Sequence, residues 1–510
     1  MHANRNLVNF ILLTVIVTQS CNKQENKEKN GDPDSSIPAD DASTGNDGDV
    51  DGDADADTES STWISALIRP KDEHDYQLNS IEDSILTDDN AMVLLATSWG
   101  FSDDDNYVES RRYDSIWVVK VKASGAIEWQ KKFFGTTPAN KGAVYAFSII
   151  QTKDNGFLVS GGMNNRGTFF LKLDENGVIQ WKKLIENPDE KCYCMAAAET
   201  SDNGFILAGG GNKAGMQQND ICIIRLTSDL EIAWQKTYGT ERNEDAKHVF
   251  ETDDSGFAVF GTAANAYDDW HWASFSIRID DKGEILWSRY MGDPDYRSIN
   301  SIWSAVRSGD GWLLGIIVDG SKEQYPGSSA IIKLSEQGRI DWQKNLGASG
   351  GEIIYQTPEL ALTRDQGIII TQNLIWEHDG ESDDHSIFIS KLSTQGTIEW
   401  QKDIKEPAYP GGIHQGDDGA LWISASGFIE SAEAENEMLL ALRLDEHGGI
   451  DGDCDLISDF HEGEIRESDI QITEWSDLYD IKVSDTDAVL TDLEVPEADT
   501  SAEVEFLCPK

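Results

Sequence analysis

The sequence predicts an all-β, seven-bladed β-propeller with four-stranded blades. Three observations support this prediction: a tryptophan-containing phrase that recurs about every fifty residues, a turn motif that recurs in register with it, and a strand missing from the last unit but present before the first. Repeats of this length that are built from short strands are typical of propellers.

The tryptophan phrase defines the repeat. Each copy resembles GAIEWQKK or GTIEWQKD, and successive tryptophans stand 52 to 58 residues apart. An alternating strand with one basic residue between apolar residues precedes each phrase. We expect these basic residues to form ion pairs between neighbouring blades or to pack their aliphatic stems. The tryptophans are Trp129, Trp181, Trp234, Trp287, Trp342 and Trp400, and the basic residues are Lys120, Lys172, Arg225, Arg278, Lys333, Lys391 and Arg443.

A turn motif precedes an apolar strand in every unit. Asp-Asn-Gly between two apolar runs favours a tight hairpin, because asparagine and glycine tolerate the positive φ that such turns need. A second turn, such as DENG at residues 174–177, joins the basic strand to the tryptophan strand. Each unit therefore contains two hairpins, whose four strands we label A to D. The versions of the motif are TDDNA, TKDNG, TSDNG, TDDSG, RSGDG, TRDQG and QGDDG.

The seventh unit lacks its outer strand, since Gly452 occupies the tryptophan position. Trp63, in TWISALIRP, keeps nearly the same offset to the first turn motif as the other tryptophans keep to theirs. We therefore expect residues 62–69 to pair with residues 438–444 as the outer edge of blade seven. Such closure removes exposed sheet edges.

The repeats from Trp63 to Asp453 resemble those of uncharacterised secreted propellers and lipoproteins close to the quinoprotein dehydrogenase-like superfamily. In quinoprotein enzymes a similar Gly-x-x-x-Trp phrase packs its indole against the next blade, so the resemblance implies a fold and not a chemistry. Those enzymes typically have eight blades, and some carry a vicinal disulfide beside the cofactor. This chain has seven units, and one residue separates Cys192 from Cys194.

The N-terminal residues have the layout of an export signal. Arg5 precedes an apolar run at residues 7–17, which is too short to span a bilayer. Ser20 and Cys21 follow, and resemble the lipobox at which bacterial lipoproteins are cleaved and acylated on the cysteine. Residues 18 and 19 depart from that pattern, so ordinary secretory cleavage is an alternative. We expect a lipoprotein of the cell envelope, at the outer membrane or cell surface, that contacts the membrane through its lipid alone.

Composition divides the chain into four parts. Residues 1–20 are the expected signal peptide, 21–61 an acidic disordered linker, 62–453 the propeller, and 454–510 a β-rich tail. The 93 acidic and 41 basic residues give a net charge of −52. This charge argues against nucleic acid as a partner, because binding to a polyanion depends on basic groups.

The cysteines suggest one disulfide. Cys454 and Cys508 bracket the tail, and we expect them to pair in an exported protein. Cys192, Cys194 and Cys222 could be metal ligands, but no fourth ligand of suitable spacing accompanies them. We interpret these three as small, buried strand residues.

No cofactor is predicted, and calcium is the one candidate ion. Asp47, Asp49, Asp51 and Gly52 imitate the start of an EF-hand loop, whose alternating oxygens wrap a calcium ion. Thr58 occupies the position of the bidentate carboxylate, which favours an acidic linker instead.

The sequence contains no HExxH motif, no P-loop and no strand-linked GxGxxG. We predict no catalytic residue, and the sequence favours a binding or scaffold role over an enzymatic one. The alternatives are a quinone- or glycan-dependent envelope enzyme and a component of an outer-membrane assembly.

The loops that join strands B and C are the candidate ligand site, because loops on a rigid scaffold usually carry recognition. Three of them combine aromatic and acidic side chains, which suit sugar stacking or a hard cation. We expect a carbohydrate or protein ligand there. The candidate residues are Trp99 and Tyr107 in blade 1, Tyr267, Asp268, Asp269, Trp270, His271 and Trp272 in blade 4, and Trp376, His378, Asp383, Asp384 and His385 in blade 6.

Overall fold

The structure is a computed structural model that describes parts of the chain between residues 62 and 506. The described stretches are residues 62–68, 79–98, 115–134, 144–163, 167–186, 190–213, 219–264, 272–292, 300–318, 328–348, 353–378, 381–405, 408–431, 434–450, 456–459, 463–467, 472–474, 482–485, 489–492, 497–499 and 503–506. The predicted signal peptide, the linker with its calcium-like motif, Cys21, Cys454 and Cys508 all lie outside them.

Seven antiparallel sheets form the ring, which confirms the seven-bladed propeller. The described residues contain no helix, and therefore no helix that could cross a membrane. Strand A lies at the inner edge of each sheet, and B, C and D follow outwards.

The first four blades follow one another along the chain. Blade 1 contains β2 (Asn79–Leu86), β3 (Met92–Ser98), β4 (Ser115–Val121) and β5 (Ile127–Phe134). Blade 2 contains β6 (Val144–Gln151), β7 (Phe157–Met163), β8 (Gly167–Leu173) and β9 (Ile179–Glu186). Blade 3 contains β10 (Glu190–Glu199), β11 (Phe205–Lys213), β12 (Asn219–Leu226) and β13 (Ile232–Gly239). Blade 4 contains β14 (Glu244–Glu251), β15 (Phe257–Ala264), β16 (Trp272–Ile279) and β17 (Ile285–Met291).

The last three blades complete the ring. Blade 5 contains β18 (Asn300–Ser308), β19 (Gly311–Val318), β20 (Ser328–Ser335) and β21 (Ile340–Ala348). Blade 6 contains β22 (Ile353–Leu362), β23 (Ile368–His378), β24 (Glu381–Leu392) and β25 (Ile398–Ile404). Blade 7 contains β26 (Ala408–Gln415), β27 (Leu421–Ser431), β28 (Ala434–Leu444) and, as strand D, β1 (Trp63–Ile68).

The N-terminal strand closes the ring as expected. In every blade the basic residue of strand C stands opposite the tryptophan of strand D, and in blade 7 this pair is Arg443 and Trp63. Trp63 is fully buried and packs edge-on against Trp422, with ring centroids 5.6 Å apart. β1 therefore takes the place that the seventh repeat leaves open.

Strand-D indoles connect each blade to the next. Nε1 of Trp129 donates a hydrogen bond to the carbonyl of Glu175 in blade 2 at 3.0 Å. Nε1 of Trp63 donates to Ala123, the equivalent turn residue of blade 1, at 2.8 Å. A Cβ atom on Gly177, in the same turn as Glu175, would lie 2.8 Å from the Trp129 ring. The turn glycine is therefore needed for the close approach of two blades.

In six of the seven blades the basic residue of strand C forms an ion pair within its own blade, so the expected pairs between blades are wrong. Nζ of Lys172 lies 2.8 Å from the carboxylate of Asp154 in the turn motif, to which the Thr152 hydroxyl also donates at 2.5 Å. The A–B turn lies beside the end of strand C, which spacing along the chain does not reveal. The pairs are Asp89–Lys120, Asp154–Lys172, Asp202–Arg225, Asp254–Arg278, Asp365–Lys391 and Asp418–Arg443.

The C-terminal tail is β-rich, as predicted, and it adds a fifth, antiparallel strand to every blade. It passes from blade 6 backwards through blades 5, 4, 3, 2 and 1 and ends in blade 7. Its last strand pairs with β1, so the prediction that β1 is the outer edge of blade 7 is wrong. The tail strands are β29 (Ile457–Asp459), β30 (Gly463–Glu467), β31 (Ile472–Glu474), β32 (Lys482–Asp485), β33 (Val489–Asp492), β34 (Glu497–Asp499) and β35 (Glu503–Phe506).

A disulfide joins Cys192 on β10 to Cys222 on β12, with the Cα atoms 5.9 Å apart. Both cysteines are buried strand residues, as predicted, and the disulfide between them was not foreseen. Strand B between them has glycine at residues 209–211, opposite both cysteines. Cys194 is buried and unbridged, and burial raises its thiol pKa to about 11.

Candidate functional site

The structure describes only some of the predicted ligand residues. Trp99, Tyr107 and residues 267–271 lie outside the described stretches, and Trp272 is the half-buried first residue of β16. The strands on either side of these segments end at the face of the ring where strand A begins. A propeller sheet alternates direction, so the B–C and D–A connections share this face.

The predicted loop of blade 6 is largely a β-hairpin. Trp376 and His378 belong to β23, while Asp383, Asp384 and His385 belong to β24. Trp376 pairs with Asp384 in the ladder. The ligand-binding role of these residues stays a prediction.

Strand A of every blade carries a β-bulge at the same position, a feature that the sequence analysis missed. The ladder between strands A and B shifts register there, so the extra residue has no partner on strand B. Bulges re-aim a side chain and are common beside functional sites. The extra residues are Glu82, Phe147, Met195, Lys247, Trp303, Thr357 with Pro358, and Gly411.

Bulge residues and their neighbours in blades 1 to 6 form a wall at the inner edges of the sheets. We call this wall the channel site. Contacts and electrostatic interactions link its members from blade to blade, and Asp83 and Glu359 interact across blade 7. Its members are Glu82, Asp83, Tyr145, Phe147, Tyr193, Asp245, Lys247, Trp303 and Glu359.

One half of the channel site is aromatic. The rings of Tyr145 and Phe147 are stacked, with centroids 6.3 Å apart, and Phe147 lies 6.4 Å from Tyr193 in the next blade. The Tyr193 hydroxyl donates a hydrogen bond to the Asp245 carboxylate at 2.5 Å. Burial and the charge of Asp245 raise the pKa of Tyr193, so this phenol stays protonated. The aromatic row therefore ends on a fixed carboxylate.

The other half combines a cation, an indole and carboxyl groups. Nζ of Lys247 lies 5.2 Å from the centre of the Trp303 ring, and Trp303 donates a hydrogen bond to Glu359. Burial raises the pKa of Glu359 well above its usual value, and the charge of Asp83 raises it further. Trp303 is 37% exposed, an unusual fraction for a tryptophan on an inner strand.

Asp83 lies where blades 1 and 2 meet. Its carboxylate accepts hydrogen bonds from the backbone amides of Ile149, at 2.9 Å, and Ser84, at 2.8 Å. Burial raises its pKa to about 7, despite these hydrogen bonds. The pKa of Glu82 is also raised by burial, and Ser80 donates to Glu82 at 2.5 Å. The channel site therefore changes charge near neutral pH.

Blade 7 contributes no side chain at its bulge. A Cβ atom on Gly411 would lie 2.6 Å from Cγ2 of Ile81, and one on Gly412 would lie 2.4 Å from the hydroxyl of Ser84. The glycines thus allow blades 7 and 1 to approach closely and leave a gap in the wall. Tyr409, which is 39% exposed, precedes this gap.

Two half-buried histidines on strand A have structural partners. Nε2 of His248 lies 2.9 Å from the carbonyl of Trp303, and Nε2 of His414 lies 3.1 Å from the Ser84 hydroxyl. Burial lowers both histidine pKa values to about 4, so the rings are neutral at pH 7. Within the described stretches, no group of three or more His, Cys, Asp or Glu residues is arranged to hold a metal ion.

The sequence does contain a signal for the channel site. In blades 1 to 4 the residue five positions before the first residue of the turn motif is the bulge residue, as for Glu82 before Thr87 and Lys247 before Thr252. In blade 6 this offset gives Pro358, one of the two extra residues. In blades 5 and 7 the offset is four, as for Trp303 before the first residue of RSGDG. Reading the repeats at offsets of four and five would have found the set.

Comparisons with known proteins identify no family. No protein-family model matches the chain, and no curated protein matches it. Among solved structures, it is similar to a mannose phosphorylase from Leishmania mexicana in complex with phosphate ion, at 12% identity and a TM-score of 0.26, over 51% of this chain and 87% of that one. It is also similar to a member of the duf4221 family from Bacteroides vulgatus, at 11% identity and a TM-score of 0.27, over 79% of this chain and 99% of that one. Likenesses this weak carry no argument about function.

Proposed function

We propose that this chain is a lipid-anchored protein of the bacterial cell envelope whose propeller binds a carbohydrate at the channel site. The observation that carries the proposal is the ring of bulges, which places aromatic rings and hydrogen-bonding carboxyl groups side by side around one channel. This proposal extends the expectation that the B–C loops bind a ligand. The strands that flank those loops end at the face of the ring where strand A begins, and strand A carries the bulges.

The chemistry of the channel site suits a sugar. The apolar face of a sugar ring packs on an aromatic ring, and its hydroxyl groups pair with carboxyl oxygens beside that ring. The exposed indole of Trp303 lies next to Glu359, and the Phe147 and Tyr193 rings lie next to Asp245. Carboxyl groups with raised pKa values can also donate hydrogen bonds when protonated.

Binding is tested on protein that lacks residues 1–60, first on a glycan array and then by calorimetry with the strongest glycan. Trp303→Ala is expected to weaken binding about tenfold or more, since loss of a stacking ring costs about 1 kcal/mol beyond its buried area. Leu286→Ala is the matched control, because Leu286 is 55% exposed on strand D, away from the channel. Equal affinities of the two variants, or no glycan bound by the wild type, would contradict the proposal.

The anchor is tested separately, by mass spectrometry of the full chain expressed in a bacterium. We expect a mature protein that begins at Cys21 with a diacyl or triacyl mass in the membrane fraction. Cys21→Ser is expected to release the protein or to leave its signal peptide uncleaved. An unmodified wild type that behaves like Cys21→Ser would support ordinary secretory cleavage instead.

A further inference from the structure

Blade 5 departs from the ion pair that the other six blades share. Its strand-C cation, Lys333, donates a hydrogen bond to the backbone carbonyl of Ser308 instead. Among the described residues, no carboxylate lies within ion-pair distance of Nζ of Lys333, although Asp310 and Asp341 are close enough to act on it electrostatically. Blade 5 therefore keeps the basic residue of strand C but lacks the turn carboxylate that pairs with it in the other blades.

The cause is a shorter turn. In blade 2, five residues separate the paired residues Gln151 and Phe157, and the turn aspartate reaches the cation. In blade 5, Arg307 pairs with Trp312, and only four residues lie between them. Gly309, at φ 58°, takes the turn in the left-handed region. The deletion of one residue therefore withdraws the aspartate from strand C.

A cavity lies at this place, between blades 5 and 6, with a volume of about 210 Å³. Lys333 is part of its wall. Burial lowers the pKa of Lys333, as expected for a cation that lacks a close partner. The polar lining also includes Ser308, Asp310, Gln366 and Thr394, and the apolar lining is Leu313, Trp342 and Ile368.

We propose that this cavity binds a small monocarboxylate, whose charged group pairs with Lys333 as the turn aspartate pairs with the cation in the other blades. The hydroxyl and amide groups of Thr394 and Gln366 offer hydrogen bonds to such a ligand, and the Trp342 indole offers an apolar wall. Asp310 and Asp341 add negative charge nearby, so a single charge is favoured over a phosphate dianion. This cavity lies at the face of the ring that carries the A–B and C–D turns, opposite the face that carries the B–C loops.

The first test is calorimetry of the protein without residues 1–60, with acetate, lactate, benzoate and inorganic phosphate as probes. At least one carboxylate is expected to bind more tightly than phosphate. Lys333→Met is expected to weaken that binding about tenfold or more, because an ion-paired hydrogen bond to a charged group is lost. Lys282→Met, at an exposed turn lysine of blade 4, is the control and is expected to bind as the wild type does.

A second variant gives blade 5 the five-residue turn of blade 2. Residues 308–311 are replaced by Thr-Lys-Asp-Asn-Gly, the turn of blade 2, which brings an aspartate to Lys333 and fills the cavity. This variant is expected to fold, to melt at a higher temperature than the wild type, and to lose carboxylate binding. The proposal is wrong if the wild type binds none of the carboxylates, if phosphate binds as tightly as they do, or if both variants retain the wild-type affinity.

Discussion

At the residue scale, the turn aspartates act as anchors that connect a hairpin to strand C. The Thr200 hydroxyl, the Arg225 guanidinium and a backbone amide all bond to Asp202, and together they lower its pKa to about 2. A carboxylate with a depressed pKa stabilises the fold above its unfolded pKa of about 3.9, and this stability is lost as the pH falls towards 2. The same arrangement recurs in blade 6 at Asp365, whose pKa is also about 2.

Asp202→Asn is expected to lower the melting temperature at pH 7 and to reduce the loss of stability between pH 4 and pH 2. The effect at pH 7 should be about 1 kcal/mol, because the carboxylate is partly exposed and solvent screens it. Asp229→Asn, at an exposed turn position of the same blade, is the control. Parallel pH profiles for wild type and Asp202→Asn would show that the aspartate does not anchor the turn.

The contribution of the Cys192–Cys222 disulfide to the stability of the fold can be measured separately from that of Cys194. Its cysteines are 30 residues apart, and closing a loop of that length stabilises a fold by about 3.5 kcal/mol in the chain-entropy description. Reduction should lower the melting temperature of the wild type and of Cys194→Ala by more than that of Cys222→Ala, in which only the predicted Cys454–Cys508 link is left to reduce. Peptide mapping without reductant should find the 192–222 link and tests the predicted Cys454–Cys508 link as well. A wild-type melt unaffected by reductant would argue that the bridge is absent.

At the element scale, β1 is the strand on which closure depends. Trp63→Ala is expected to cost about 3–5 kcal/mol, because it leaves a large cavity between blades 7 and 1. Trp303→Ala should cost far less, since that indole is 37% exposed. Urea unfolding measures both free energies. Similar losses of unfolding free energy in the two variants would contradict the conclusion that β1 closes the ring.

Truncations test the same element. Removal of residues 1–60 should leave the melting temperature unchanged, and removal through residue 70 should lower it strongly and cause aggregation. The longer truncation deletes β1, the pairing partner of both β28 and β35.

The tail strands protect the outer edges of the blades. An uncovered strand D presents a row of unpaired amides and carbonyls that can recruit another chain. Removal of residues 455–510 should therefore leave a folded ring that self-associates, as light scattering would show. Ile465→Pro, which removes one backbone donor from β30, should have a smaller effect of the same kind. A truncated chain that stays monomeric would mean that the D edges need no cover.

How much of the fold could be predicted depended on repetition. Trp63 revealed β1 because it recurs in register with six other tryptophans, and the turn motif revealed both hairpins. The tail strands are only three to five residues long, and nothing in them repeats, so their course around the ring had no signal. The bulges were missed because one added residue reverses the phase of the apolar alternation within a strand too short to show it, as between Ala146 and Ile149, which pack in the same core cluster.

At the scale of the whole molecule, the first and the last of the described strands meet in blade 7, where β28, β1 and β35 lie side by side. The ring holds seven inner strands at fixed spacing, and this rigidity allows single residues from different blades to form one wall. Lys247 of blade 4 and Asp83 of blade 1 both act on Glu359 of blade 6. Such a site could not be derived from spacing along the chain, because it arises only when the ring closes.

Hydrogen–deuterium exchange, with and without the tightest-binding glycan, tests the central claim most directly. We expect slower exchange in the bulged segments of strand A, at residues 81–83, 146–148, 246–248 and 302–304, because the ligand covers them and restricts their opening. Slower exchange confined to the blade 6 hairpin or to the tail strands, with strand A unchanged, would contradict the assignment of the ligand to the channel site.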